Sequence, residues 1–259
     1  MPKFAANLTM LFNEVGFLDR FDAAANAGFK AVECQLPYAF PKEALAERLD
    51  RTGLKLVLHN LPPGDWDGGE RGIACHPDRV GEFQDGVGHA IDYAQALGCK
   101  QLNCLAGIAP VGVDAQQVHA TFIDNLRFAA PKLAAAGIRL LVEPINTFDI
   151  PGFYLSRSSQ AARLLDEVGS DNLFIQYDIY HAHRMEGALA DTIARLLPKI
   201  AHMQLADHPG RHEPGTGEID WRTLFAHIDR LGYDGWIGCE YKPAGATADG
   251  LGWIERLAH

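Results

Sequence analysis

Eight polar residues each close a short apolar stretch of the chain, and their side chains are of types that bind ions or move protons. The eight residues are Asn7, Glu33, His59, Asn103, Glu143, Asp178, Gln204 and Glu240. The last four follow runs that should be well buried, in the strings LLVE, IQYD, HMQ and IGCE. Three carboxylates brought into one cavity would repel one another and lose their hydration unless a cation compensated them. A divalent metal ion is the simplest such cation.

The second half of the chain therefore predicts a site for one divalent metal ion. Its predicted ligands are Glu143, Asp178, Gln204 and Glu240. Three carboxylate oxygens and one amide oxygen are hard ligands, which favour Mg²⁺ or Mn²⁺ over Zn²⁺. The alternative is that one or two of the carboxylates pair with a basic side chain instead, such as Lys242 or Arg211. Strand ends also lie near water, so a polar residue there can be purely structural.

The elements that would position these residues form a repeated unit of an amphipathic helix, a glycine and a short apolar run. Each glycine is expected just past a helix end, where a left-handed residue stops the helix without strain. These glycines are Gly28, Gly53, Gly98, Gly137 and Gly232. Strands are predicted near residues 4–7, 31–33, 55–59, 101–103, 138–143, 173–178, 200–204 and 236–240. One intervening helix shows Trp221, Leu224, Phe225 and Ile228 at helical spacing behind a candidate N-cap, Asp220.

Strict alternation of strands and helices predicts an α/β fold with parallel strands joined by right-handed crossovers. Eight such units close most naturally into a single (β/α)8 TIM barrel, and we expect residues 1–259 to form one catalytic domain. A doubly wound open sheet is the competing architecture, but the chain has neither GxGxxG nor GxxxxGK[ST] for its phosphate site. In a TIM barrel the carboxyl ends of the strands build the active site, so the eight polar residues would meet in one mouth.

Composition limits the partners and the compartment. The 259 residues include 23 Lys and Arg against 33 Asp and Glu, which gives a net charge of −10. An acidic chain is a poor general binder of nucleic acid or anionic membranes, and no apolar run is long enough to predict a membrane span. The five cysteines lack CxxC spacing, which argues against a disulfide framework or a structural zinc site and favours the cytoplasm. The sequence leaves the oligomeric state open, a homo-oligomer included.

Longer stretches of the chain resemble the hydroxypyruvate isomerase family within the xylose-isomerase-like TIM barrels. They are GDWDGGERGIACHPDR (64–79), LNCLAG (102–107), LVEPIN (141–146), YDIYHAHRMEG (177–187), HMQLADHPGRHEPGTGEIDW (202–221) and GCEYKP (238–243). The resemblance covers essentially the whole chain. It implies that Glu143, Asp178, Gln204 and Glu240 bind the metal and that Glu143 and Glu240 are also the catalytic acid and base. Related sugar epimerases have a histidine where this chain has Gln204, which favours the hydroxypyruvate isomerase branch.

The reaction that this resemblance implies is an aldose–ketose type isomerisation of a small carboxylated hydroxy-carbonyl compound. Hydroxypyruvate and tartronate semialdehyde would interconvert through an enediolate stabilised by the metal ion. The substrate carboxylate needs a cationic partner, for which Arg211 is the first candidate and Arg71 the second. His181 and His59 are candidates for binding a substrate oxygen or orienting a ligand, although a lone histidine is often structural.

Three other functions compete with this interpretation. A sister isomerase acting on a longer oxo-acid, such as a 2-oxo-tetronate, would use the same metal and glutamate pair. A metal-dependent DNA-repair endonuclease shares the fold, but it calls for a histidine-rich zinc cluster and a basic surface, which Gln204 and the net charge of −10 oppose. A non-catalytic sugar-acid binding protein would be expected to lack a carboxylate at position 143 or 240, and both are present.

Overall fold

Eight parallel strands close into a barrel in the order in which they occur along the chain. The computed structural model describes residues 2–258. The strands are β1 (Lys3–Asn7), β2 (Ala31–Glu33), β3 (Lys55–Asn60), β4 (Gln101–Cys104), β5 (Arg139–Val142), β6 (Leu173–Asp178), β7 (Ile200–Leu205) and β8 (Trp236–Cys239). The observed ends lie within one residue of the predicted ones, and the (β/α)8 barrel is confirmed.

Helices follow the strands and form the outer layer of the barrel. They are α1 (Arg20–Asn26), α2 (Lys42–Thr52), α3 (Val80–Ala96), α4 (Ala115–Ala135), α5 (Ser158–Val168), α6 (Ile179–Met185), α7 (Leu189–Leu196), α8 (Trp221–Arg230), α9 (Thr247–Gly250) and α10 (Trp253–Ala258). Within residues 2–258, no helix is long and apolar enough to cross a membrane.

The predicted helix boundaries depend on glycine and on capping side chains. Gly53 ends α2 with φ of +68°, a conformation that costs other residues free energy. The other four predicted glycines also have positive φ. At the start of α8, the Asp220 carboxylate accepts a hydrogen bond from the Thr223 N–H, as the sequence predicted.

The core lies between the barrel and the helices, and it also joins the two ends of the sheet. Strand β1 pairs with β8 in register from Lys3 opposite Trp236. Over this junction, the Phe4 ring packs edge-on against Trp253 of α10 and Phe225 of α8, with ring centroids 4.9 and 5.4 Å apart. These buried aromatic contacts hold the last helix across the seam where the barrel closes.

Two long segments after strands cover the carboxyl end of the barrel. Residues 61–79 follow β3, and Gly72 in this segment lies so close to β4 that an added Cβ would be 2.4 Å from the carbonyl oxygen of Leu105. Residues 206–220 follow β7, where the buried Asp207 carboxylate accepts hydrogen bonds from the backbone N–H groups of Gly215, Gly217 and Ile219. Both segments are therefore fixed by their backbones above the mouth of the barrel.

Candidate active site

Three carboxylates converge at the carboxyl end of the barrel. Glu143 follows β5, Asp178 ends β6 and Glu240 follows β8, and all three are buried. Each of them offers a ligand atom, as does His181 of α6, and these four atoms lie within 4.8 Å of one another. Glu143, Glu240 and His181 line a cavity of about 120 Å³, which suits a molecule of a few carbon atoms.

Asp178 and Glu143 each have one carboxylate oxygen fixed by protein donors and one directed into the cluster. Asp178 caps α6, because its Oδ1 accepts hydrogen bonds from the backbone N–H groups of Tyr180 (2.8 Å) and His181 (3.3 Å). Its Oδ2 is buried and has no hydrogen-bond partner among the described residues. The Oε2 of Glu143 accepts from Asn103 Nδ2 at 2.9 Å, whereas its Oε1 lies 4.0 Å from His181 Nε2.

Glu240 also has one oxygen held by amide donors, but its second oxygen is paired with an arginine. Its Oε1 accepts hydrogen bonds from the side-chain amides of Gln35 (2.8 Å), Asn7 (3.3 Å) and Gln204 (3.4 Å). Its Oε2 accepts from the guanidinium of Arg211. Arg211 therefore pairs with Glu240 in this structure, which is the contact that the alternative interpretation expected for one of the carboxylates.

Glu33 is a fourth buried carboxylate nearby, but both of its oxygens are satisfied by protein donors. Oε1 accepts from Asn7 Nδ2 and Gln204 Nε2, each at 2.8 Å, and Oε2 lies 2.6 Å from His202 Nε2. Gly238 makes room for it, since a Cβ there would lie 2.2 Å from the Glu33 carboxylate. Glu33 therefore orients amide side chains around Glu240 and has no oxygen directed into the cluster.

Burial makes ionisation of the three carboxyl groups in this cluster unfavourable. Burial and the like charges of Glu240 and Asp178 raise the pKa of Glu143 well above its usual value. Burial also raises the pKa of Asp178 and of Glu240, and the positive charge of Arg211 opposes both shifts. A divalent cation would offset this cost, and the inward oxygens, including the unpartnered Oδ2 of Asp178, are hard donors of the type that Mg²⁺ and Mn²⁺ prefer. The cluster therefore fits such an ion.

Gln204 borders this cluster, but its amide is held by neighbours. Its Oε1 accepts a hydrogen bond from Gln176 Nε2 at 2.6 Å, and its Nε2 donates to Glu33 and Glu240. A rotation of the amide group by about 180° would place Oε1, instead of Nε2, beside Glu240. The role of Gln204 as a metal ligand stays a prediction that requires this turn.

His181 lies inside the cluster, and its neighbours determine which ring nitrogen carries the proton. Asn146 Oδ1 accepts from the backbone N–H groups of Phe148 and Asp149, so its Nδ2 must face His181 Nδ1, at 2.6 Å. Burial and the nearby cations Arg211 and Arg184 lower the pKa of His181 well below its usual value. The ring is thus neutral with the proton on Nε2, 3.5 Å from Asp178 Oδ2, where it can donate to a substrate oxygen.

The two predicted arginines line the cavity in different ways. Arg211 reaches the carboxylates, with its Nη2 3.8 Å from Asp178 Oδ2 in addition to its bond to Glu240. Arg71 lies over the Trp66 ring, 4.2 Å from its centroid. The Nη1 of Arg71 donates to the carbonyl oxygens of Trp66 and Glu70. Both guanidinium groups are placed where they can meet a substrate carboxylate.

His59 does not reach the cavity. Its neighbours on β3, Leu58 and Asn60, line the cavity, and alternation along the strand turns His59 to the opposite face. There it is fully buried beside Tyr38, whose hydroxyl lies 3.3 Å from His59 Nδ1. Burial lowers the pKa of His59 to about 4, so this is a neutral core histidine, and its position does not support the predicted contact with substrate.

Sequence reasoning missed the amides that orient the acidic groups. Gln35 lies two residues beyond the end of β2, and Asn146 lies three residues after Glu143 in LVEPIN. Gln176 lies inside β6. The available signal was their position near strand ends, but their partners lie 28, 35 and 205 residues away along the chain.

Comparison with known proteins agrees with this fold. The family model described as xylose isomerase-like TIM barrel matches residues 21–257, and the protein belongs to this family. Hydroxypyruvate isomerase from Escherichia coli is 54% identical over 98% of this chain and 99% of the relative. The 2-oxo-tetronate isomerase from Cupriavidus necator is 47% identical over 98% of each chain. The protein is an enzyme of the isomerase class and is similar to hydroxypyruvate isomerase.

A solved structure from Brucella melitensis, described as an AP endonuclease of family 2, has the same architecture. It superposes with a TM-score of 0.96 at 45% identity and covers 99% of both chains. The expected resemblance to the hydroxypyruvate isomerase family is thus confirmed by relatives that span the whole chain.

Proposed function

We propose that this enzyme interconverts hydroxypyruvate and tartronate semialdehyde, using a divalent metal ion and two glutamates. The observation that supports the proposal most is the cluster of Glu143, Asp178 and Glu240, in which each carboxylate has one fixed and one inward oxygen. The 54% identity to a hydroxypyruvate isomerase over the full chain supports the choice of substrate.

The predicted cation would be held by the inward oxygens of Glu143, Asp178 and Glu240, with Gln204 as the fourth ligand if its amide turns. When bound, Mg²⁺ or Mn²⁺ would act as a Lewis acid for the negative charge that develops on the substrate oxygens. The hydrogen bonds to the fixed oxygens favour such a site, because they hold the second oxygen of each carboxylate in one direction.

Glu143 and Glu240 approach the cavity from β5 and β8 and serve as acid and base. One of them removes a proton from carbon 3 of hydroxypyruvate, and the other delivers a proton to carbon 2 of the enediolate. The carbon 3 hydroxyl loses its proton and becomes the aldehyde oxygen. The carbon 2 oxygen gains a proton and becomes a hydroxyl, so atoms and charge balance. His181 donates from Nε2 to a substrate oxygen as charge develops there. A pair of positioned carboxylates typically contributes about 10²- to 10⁴-fold for each proton transfer.

The substrate carboxylate would be bound by Arg211 and Arg71, whose side chains line the same cavity. A guanidinium matches a carboxylate with two parallel hydrogen bonds, which selects acids over neutral sugars. The Arg211→Gln variant should therefore raise KM for hydroxypyruvate much more than for glyceraldehyde, which lacks the carboxylate.

A 2-oxo-tetronate is the second candidate substrate, because a 2-oxo-tetronate isomerase is 47% identical over nearly the whole chain. The discriminating experiment is a panel of hydroxypyruvate, 2-oxo-tetronate and neutral ketoses, followed by NMR of the aldehyde product. We expect kcat/KM to be highest for hydroxypyruvate. A higher kcat/KM for 2-oxo-tetronate would make that compound the proposed substrate instead. Turnover of neutral ketoses alone would contradict the role of the arginines.

A further inference from the structure

The guanidinium of Arg211 bonds one of the inward oxygens that we assign to the metal ion and lies near a second. Its Nη2 donates to Glu240 Oε2 and lies 3.8 Å from Asp178 Oδ2. The Arg211 side chain is only 19% exposed, and it lines the cavity. A guanidinium and a divalent cation would compensate the same negative charges through the same oxygen atoms, so the two compete for them.

The Arg211 side chain can leave these oxygens without moving its loop. The backbone is anchored, since the Arg211 carbonyl oxygen accepts from the Lys242 N–H at 2.7 Å and the Asp207 carboxylate holds the rest of the segment. By contrast, Nε of Arg211 is buried without a hydrogen-bond partner in the part of the chain that the structure describes. The guanidinium also packs over the Tyr180 ring at 5.0 Å, a contact that orients it weakly.

We propose that Arg211 exchanges partners during the catalytic cycle, an inference that rests on the proposed function. It releases Asp178 and Glu240 when the divalent cation binds, and its guanidinium then pairs with the carboxylate of the substrate. Cation binding and recognition of an acid are thereby coupled, because the first event frees the group that the second requires. Arg211 thus determines specificity for acids only in the metal-loaded enzyme.

Arg71 provides a matched control for this exchange. It is the other guanidinium that lines the cavity, but it donates to the carbonyl oxygens of Trp66 and Glu70 and lies over an aromatic ring. Replacing Arg71 removes the same charge from the cavity without freeing an oxygen of Glu240 or Asp178.

The first test is the affinity for Mn²⁺, measured by calorimetry on the chelator-treated wild type and on the Arg211→Gln and Arg71→Gln variants. We expect Arg211→Gln to bind Mn²⁺ about tenfold more tightly, because the competing cation is gone, and Arg71→Gln to stay within about twofold of the wild type. Equal or weaker binding by Arg211→Gln would overturn the exchange. Failure of all three proteins to bind Mn²⁺ would instead contradict the proposed metal site.

The second test uses glycolate, a hydroxy acid that cannot isomerise. We expect Arg211→Gln to weaken glycolate binding by about tenfold when Mn²⁺ is saturating and by less than about twofold without Mn²⁺. The same loss under both conditions would overturn the exchange. If Arg211→Gln does not fold, crystals of the wild type soaked in Mn²⁺ decide the matter: the Arg211–Glu240 bond should be broken, and an intact bond would contradict the proposal.

Discussion

In each carboxylate of the cluster, the two oxygens have different surroundings. The outer oxygen accepts hydrogen bonds from backbone or amide donors, as for Asp178 with Tyr180 and for Glu143 with Asn103. The inner oxygen is directed toward the other acids. This arrangement fixes the direction of the inner oxygens. That of Asp178 has no hydrogen-bond partner among the described residues, and that of Glu240 pairs with Arg211. Glu33 differs because its oxygens are bonded to Asn7, Gln204 and His202.

At this scale, the Glu240→Gln variant tests the acid–base pair. The glutamine oxygen can still accept from Gln35 and Asn7, so the fold and the melting temperature should hold. Activity and exchange of substrate C–H hydrogen with solvent deuterium should fall by about 10²-fold or more, as measured by NMR in D₂O. Glu213→Gln, which changes a buried glutamate that accepts from the Ala244 N–H, is the control. Undiminished exchange in Glu240→Gln would remove this residue from the mechanism.

The Asn146→Asp variant tests the protonation of His181. A carboxylate at position 146 would accept a hydrogen bond from Nδ1–H, so the neutral ring would carry its proton on Nδ1 and Nε2 would no longer be a donor. We expect kcat to fall by about tenfold or more, while ¹⁵N NMR of the imidazole shows the proton on Nδ1 instead of Nε2. Unchanged activity together with the altered tautomer would show that donation from Nε2 is not used.

The sequence located the acidic residues of the cluster but not the groups that orient them. Glu143, Asp178 and Glu240 were predictable because each follows an apolar strand, which is a local signal. The roles of His59 and Gln204 were not predictable in this way. Whether a strand-end side chain faces the cavity depends on register, and the orientation of an amide depends on partners such as Gln176 from another strand.

At the scale of the elements, backbone contact between two loops positions the cavity wall. Gly72 has φ of +111° and lies against the carbonyl oxygen of Leu105. In turn, a Cβ on Gly107 would lie 2.4 Å from the Gly72 carbonyl oxygen. This close approach fixes the segment that carries Trp66 and Arg71, and no larger residue fits either position without movement of the backbone.

The Gly72→Ala variant should therefore loosen this segment. We expect a loss of about 2 kcal/mol or more in the free energy of unfolding, from denaturant titration, together with a raised KM for hydroxypyruvate. Gly69→Ala is the matched control, since Gly69 also has positive φ (+101°) but has open space at its Cβ. That variant should lose only about 1 kcal/mol. Equal losses in the two variants would show that the contact with Leu105 is unimportant.

The strands were predictable to within one residue, and several helix ends were predictable from glycines, because periodicity and helix-ending glycines are local signals. The two covering segments were not. Their conformation depends on contacts between distant parts of the chain, such as the Asp207 carboxylate with Gly217 and Ile219. From the sequence, Arg71 and Arg211 of these segments could only be proposed as candidates to bind the substrate carboxylate.

At the scale of the whole molecule, charge separates the isomerase from the endonuclease suggested by the Brucella melitensis structure. The chain has a net charge of −10, and the candidate metal cluster found in residues 2–258 includes a single histidine. We expect no binding and no cleavage of a duplex with an abasic site at about 10 µM protein in low salt, measured by fluorescence anisotropy and gel electrophoresis. Metal-dependent cleavage would contradict the assignment.

The central claim is that the carboxylate cluster performs a metal-dependent isomerisation of hydroxypyruvate. Its most direct test is the rate at which chelator-treated protein forms tartronate semialdehyde, followed by NMR before and after addition of Mg²⁺ or Mn²⁺. We predict loss of activity on chelation and its recovery with either ion, while the fold, monitored by circular dichroism, is unchanged. Full activity in protein shown to be free of metal would contradict the account.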